Sequence, residues 1–208
     1  MNLTKTYAAI ALLLLGAAAT QAQASTIDTG TPPSLDMALV LDGSNWLAGQ
    51  ISFAQAAQIQ SINAYVNDMG AGGTFSIALY SDSATHLPGA LLNSWSASFA
   101  SASGTSGWNG VANLNQAVAA GNYWVALEVQ STDSFSGVAP VAPPSPLTKY
   151  AFNDGSYLGY QAMAQGFGLQ VAAVPEPESL ALMLAGLGLV GAALRRKNHK
   201  SGQELASA

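Results

Sequence analysis

The chain has 208 residues, with eleven acids against six bases, a formal net charge of −5 and no cysteine. The missing cysteines exclude thiol catalysis, disulfide staples and cysteine-metal sites. The bases are Lys5, Lys149, Arg195, Arg196, Lys197 and Lys200, so the long middle of the chain has no basic patch for a polyanion, and no nucleic-acid partner is expected.

Residues 1–24 read as a secretory signal peptide. Lys5 lies in a polar start, Ala8 to Ala19 form the apolar core, and Ala22-Gln23-Ala24 supplies the small residues of a cleavage site, so that signal peptidase frees Ser25. That core is too short to span a bilayer, and no charged stop follows it. Up to Val174 there remains one domain's worth of chain, long enough to bury a core without disulfides. Seven aspartates and Glu128 face one lysine, Lys149, in this stretch.

Strand signals dominate it. Thr74 to Tyr80 places Phe75, Ile77 and Leu79 on one face, and Asn122 to Val129 does the same with Tyr123, Val125, Leu127 and Val129, which leaves Trp124 on the opposite face, so one of the two faces is expected to turn outward. Met37–Leu41, Gln50–Phe53, Ile59–Val66, Leu91–Phe99 and Phe167–Ala172 are further candidates, while Gln55 to Gln58 fits either a strand extension or one helical turn. Short runs separated by Gly, Ser, Asn and Pro predict an all-β antiparallel sandwich or jelly roll. Ser101 to Gly110 is rich in Ser and Gly and reads as an exposed stretch carrying Trp108. Pro140 to Pro146 reads as a stiff connector near polyproline II geometry.

Chemistry-bearing residues are sparse. His86 is the one histidine of the domain, in a turn phrase with no nucleophile elbow, and it reads as a solvent-facing turn residue. No zinc or calcium spacing appears, so neither a metal nor a cofactor is expected. Asp42-Gly43, Asn67-Asp68, Ser81-Asp82 and Asn153-Asp154-Gly155 have turn chemistry. Glu128, the sole glutamate of the domain, sits on the strand face opposite Tyr123 and Val125. Of the aromatic residues, Trp108, Tyr157 and Tyr160 are the candidate glycan contacts, since exposed rings stack on sugars.

The end of the chain has a three-part order. Pro175-Glu176-Pro177 is fixed in extended geometry and expected to be an open, rigid tether. Leu180 to Leu194 follows without a charge and, at about 1.5 Å per residue, spans roughly 22 Å as a short transmembrane helix. Arg195, Arg196 and Lys197 then set its cytoplasmic end, placing everything before Pro175 outside the cytoplasm. The glycine spacing of Gly186 to Gly191 imitates a dinucleotide fingerprint but lacks the preceding strand, and small residues in a lipid-facing helix explain it better.

From Val174 to Lys197 this order resembles the PEP-CTERM sorting signal of exopolysaccharide-producing bacteria. The resemblance implies that Pro175, Glu176 and Pro177 form the processing site of a membrane-embedded exosortase. It also implies that Arg195, Arg196 and Lys197 retain the intermediate, and that Asn198 to Ala208 form a cytoplasmic tail beyond the usual end of such signals.

The resulting expectation is an exported β-sandwich domain over residues 25–174. It is held transiently in the inner membrane and then placed at the cell surface or in an exopolysaccharide matrix or biofilm, with no enzymatic activity. A carbohydrate-binding module with a defined glycan is the rival reading. A hydrolase pairing Glu128 with an aspartate is a more distant one.

Overall fold

Alternation of apolar residues generates strands from Ser25 to Pro175. The computed structural model describes residues 25–34, 36–70, 72–99, 104–143, 145–156, 158–176 and 186. Ala22, Ala24, Tyr157, Pro177, Arg195, Arg196, Lys197, the 198–208 tail and all of the 180–194 stretch except Gly186 lie outside the described residues. Among the described residues, no helix is long and apolar enough to cross a membrane. Gln23–Pro175 make up one unit of the chain, and residues 1–22 with 176–208 make up another.

Thirteen strands run through the first unit: β1 (Ser25–Asp28), β2 (Ala38–Leu41), β3 (Trp46–Phe53), β4 (Ala57–Asp68), β5 (Gly73–Asp82), β6 (Pro88–Phe99), β7 (Ser106–Val118), β8 (Gly121–Glu128), β9 (Gly137–Ala142), β10 (Tyr150–Asn153), β11 (Gln161–Met163), β12 (Gly166–Phe167) and β13 (Leu169–Pro175). They form two antiparallel sheets. One follows the order β1-β13-β4-β9-β12, with β7 on β4 and β2 on β9; the other follows β11-β10-β3-β8-β5-β6. Ile59, Ile62, Ala64, Val66, Leu169 and Val171 from the first sheet pack on Ile51, Phe75, Ile77, Leu79, Val125 and Leu127 from the second. Each large apolar side chain fully buried in this way is worth about 1.5–3 kcal/mol.

The long strand β4 organises the first sheet. Its core residues are Ala57 and Ile59, then Ile62, Ala64 and Val66, so the two-residue period slips by one at Gln60. The ladders slip at the same place: β13 jumps from Ile59 to Ser61 between Ala173 and Ala172. β7 jumps from Gln116 to Ala112, with Asn113 and Asn115 in left-handed conformation at φ 58° and 51°. Asparagine tolerates that region better than most residues, and an extra residue in one strand is a β-bulge that bends it.

Two sequence expectations change and one open reading is resolved. Ser106 to Gly110 is the opening of β7, because β4 offers it a complete edge to pair with. Pro140 belongs to β9 and pairs with Ala38. Its missing N–H is tolerated because the other edge of β9 is taken by β4 at residues 137 and 138 and by β12 at 141 and 142, which leaves Pro140 between them. Gln55–Gln58 resolves as strand at Ala57 and Gln58. β1, β10 and β11 carried too little pattern to be predicted.

Candidate functional site

The outer face of the second sheet is built from small residues. Ala151, Ala48, Ala126 and Ala78 are consecutive cross-strand partners on β10, β3, β8 and β5, and all four are fully buried. Tyr80, Leu87 and Tyr160 pack over them beside Trp124. The expectation that one face of β8 turns outward therefore fails: Val125 is buried inside, and Trp124 is equally buried outside. The cover comes in part from the 154–160 segment between β10 and β11, whose last residue is Tyr160.

Glu128 lies in this outer layer with 1% exposure. Its Oε1 accepts the hydroxyls of Tyr80 and Tyr160, each at 2.7 Å, and its Oε2 accepts the Gln130 side-chain amide. Burial first, and then the neighbouring Glu128, push the Tyr80 and Tyr160 hydroxyls well above their ordinary pKa, so both remain donors. Asp133 stands nearby, its Oδ2 accepting the Gln130 backbone N–H and the Ser76 hydroxyl, each at 2.9 Å. Chemically, the arrangement fastens the Tyr160 segment to the sheet. A substrate reaches Glu128 only if that segment moves.

A second carboxylate serves the other end of the same face. Asp82 Oδ1 accepts the Trp124 indole N–H at 2.8 Å and the Gln50 amide at 2.9 Å, and its Oδ2 lies 2.9 Å from His86 Nδ1. Burial works against its charge, yet the donors His86, Trp124 and Gln50 hold its pKa below the ordinary carboxylate value. His86 sits in the turn expected for it, at φ 56° and 59% exposed. Asp42, Asp68 and Asp154 accept backbone N–H groups two to four residues on, as turn aspartates do. Sequence reasoning missed Asp82's second role. The signal available was its place at the end of a strand whose neighbour carries a tryptophan.

The candidate glycan contacts are not brought together. Trp108 is on β7 of the first sheet, half-buried, edge-on to Tyr65 at 5.4 Å, with its indole N–H 3.4 Å from the Thr31 hydroxyl. Tyr160 covers the second sheet. Aromatic residues meet instead at a groove of about 320 Å³ where Trp46 and Phe152 join Leu39 and Met163, with Asn45, Asn153 and Gln165 also lining it. The Trp46 ring is held by its N–H to the Val129 carbonyl at 3.2 Å. Among the described residues, no ionisable side chain lines this groove. Among the described residues, no three His, Asp or Glu side chains gather to hold a metal.

The predicted processing site begins on the fold itself. Pro175 is the last residue of β13, paired with Ala57 and half-buried, and Glu176 is exposed. The first residue of the tripeptide is therefore part of the sheet and not an open tether. Ser25, the predicted new N-terminus, starts β1 as the partner of Ala173, so Ser25 and Pro175 lie at the same end of one strand pair.

Comparison with known families finds the PEP-CTERM protein-sorting motif over residues 173–197. The chain carries a PEP-CTERM sorting signal. The motif marks an exported protein that passes through a membrane-anchored intermediate and is sorted by an exosortase. No curated protein matches the chain. Solved structures with some similarity include the T=1 particles derived from infectious bursal virus, at 11% identity and a TM-score of 0.31, covering 74% of this chain and 39% of that one. The Gt strain of infectious bursal disease virus matches at 13% identity and a TM-score of 0.30, covering 74% and 41% respectively. The chain thus spans well under half the length of these capsid chains, and so slight a likeness carries no argument about function.

Proposed function

We infer that this is an exported, non-enzymatic protein of the cell surface or of an exopolysaccharide matrix or biofilm, and that its mechanism is placement. The observation that carries the reading is the sorting motif joined directly to the last strand of a β-domain. Signal peptidase frees Ser25, the short apolar stretch holds the intermediate in the inner membrane, and an exosortase acts at Pro175-Glu176-Pro177. The engagement of Glu128, Asp133 and Asp82 by protein donors supports a structural use of these carboxylates. The test is the mass of the mature protein in surface and inner-membrane fractions. The expected result is a surface species ending near Pro177, with a triple-alanine variant of Pro175, Glu176 and Pro177 retained uncut. A full-length surface species in both would reduce the tail to a plain anchor.

A carbohydrate-binding module is the second reading, favoured by the uncharged groove. A neutral saccharide suits an aromatic ring bordered by three side-chain amides. On this reading, Trp46→Ala weakens retention on the producing cell's polysaccharide at least about tenfold, whereas Trp108→Ala leaves it unchanged. Equal retention of all three proteins would remove this reading.

A further inference from the structure

The ladder between β13 and its neighbours is held unevenly along its length. At the Leu169 end, Thr29 Oγ1 accepts the Leu169 N–H at 2.8 Å, the Thr29 N–H reaches the Leu169 carbonyl at 3.1 Å, and the Gln170 amide donates to Asp28 Oδ2 at 3.0 Å. Val171 is paired on both sides, with Ile27 of β1 and Ile62 of β4. At the other end, β1 begins at Ser25 opposite Ala173, and among the described residues Val174 and Pro175 pair with β4 alone.

The bulge separates these two ends. Between Ala172 and Ala173 the register slips past Gln60, and β7 slips on the other side of β4 at the same level. The last pairs with β4, Ala173–Ile59, Val174–Gln58 and Pro175–Ala57, therefore lie beyond the bulge on that side, while on the β1 side Ala173 still pairs with Ser25 in unbroken register. Opening them does not require the pairs from Ala172 back to Leu169 to open.

The tether beyond is short. Glu176, Pro177, Glu178 and Ser179 alone separate β13 from the apolar stretch that begins at Leu180. Fully extended, four residues reach at most about 14 Å. A membrane-embedded enzyme that reads Pro175 to Pro177 needs those residues extended and unpaired, and Pro175 is in the sheet. Releasing Ala173 to Pro175 frees the first proline and adds about 10 Å of chain.

We propose that the β13 tip from Ala173 to Pro175 is a detachable segment that peels from β4 at the Gln60 bulge to present the sorting tripeptide to its processing enzyme. The proposal rests on the exosortase reading above.

The cysteine-free chain allows a direct test in the full-length protein in its own membrane. Gln58 and Val174 are direct partners on the outward side of the tip, and Ser61 with Ala172 are the equivalent partners before the bulge. A Gln58→Cys/Val174→Cys pair, oxidised, is expected to slow appearance of the processed form at least about tenfold and to recover on reduction. An oxidised Ser61→Cys/Ala172→Cys pair is expected to be processed like wild type. Processing of the oxidised tip lock at the wild-type rate would overturn the proposal while leaving exosortase sorting intact. A wild-type chain that stays full length would overturn the sorting reading and the proposal together. Hydrogen exchange on the wild-type chain supplies a readout free of substitutions: the Val174 amide exchanges at least about tenfold faster than that of Val171. Equal protection of the two would count against a detachable tip.

Discussion

Glu128, itself buried, collects three donors from partly buried neighbours, so its carboxylate and the tyrosines above it depend on each other. A buried donor left without an acceptor costs about 1–3 kcal/mol. Glu128→Ala strands the Tyr80 and Tyr160 hydroxyls together and is expected to lower stability by about 2–4 kcal/mol in denaturant unfolding. Glu128→Gln keeps an oxygen for the hydroxyls and is expected to lose less than half as much. Equal losses from the two variants would mean that Glu128 fastens nothing. The sequence showed Glu128 to be the one glutamate of the domain and put it on the correct face of β8. It did not show that the face is covered, because the cover comes from Tyr160, thirty-two residues further on, and no period in either segment links them.

Strand β7 shows at the element scale why composition misleads. Ser, Gly and Asn are weak strand formers, and the Ser106–Gly110 stretch carries no strand signal of its own for that reason. What makes it a strand is the open edge of β4, which nothing in β7 itself announces. Close approach then requires glycine at Gly110, where an added Cβ would sit 2.0 Å from the Ile62 carbonyl oxygen and 2.6 Å from the Asn63 Cα. Backbone atoms in a paired strand cannot step aside, so Gly110→Ala is expected to destabilise by at least about 2 kcal/mol. Gly107→Ala in the same strand meets nothing nearer than an asparagine side chain at 3.7 Å and is expected to stay within about 0.5 kcal/mol of wild type. Thermal unfolding of the two variants compares them directly, and similar melting temperatures would contradict this packing. β4 is the opposite case: its change of parity between Ile59 and Ile62 was readable, and it marks the bulge.

For the whole molecule, the strongly alternating strands β4, β5 and β8 and the sorting signal were legible because each is written in contiguous residues. Pairing partners, the alanine row and the groove around Trp46 were not, because they join residues from distant parts of the chain. The sequence also treats the two processing points as separate events at opposite ends of the chain. Antiparallel pairing of β1 with β13 makes them neighbours, with Ser25 opposite Ala173. That arrangement has a mechanical meaning. Tension applied between the start of the domain and its tail loads the β1–β13 ladder across the strands, one residue pair at a time, so the pairs part in succession and never share the load. Held by its tail alone, the same domain hangs from β13 with β1 free of tension, and pulling by the surroundings falls first on the pairs next to Pro175.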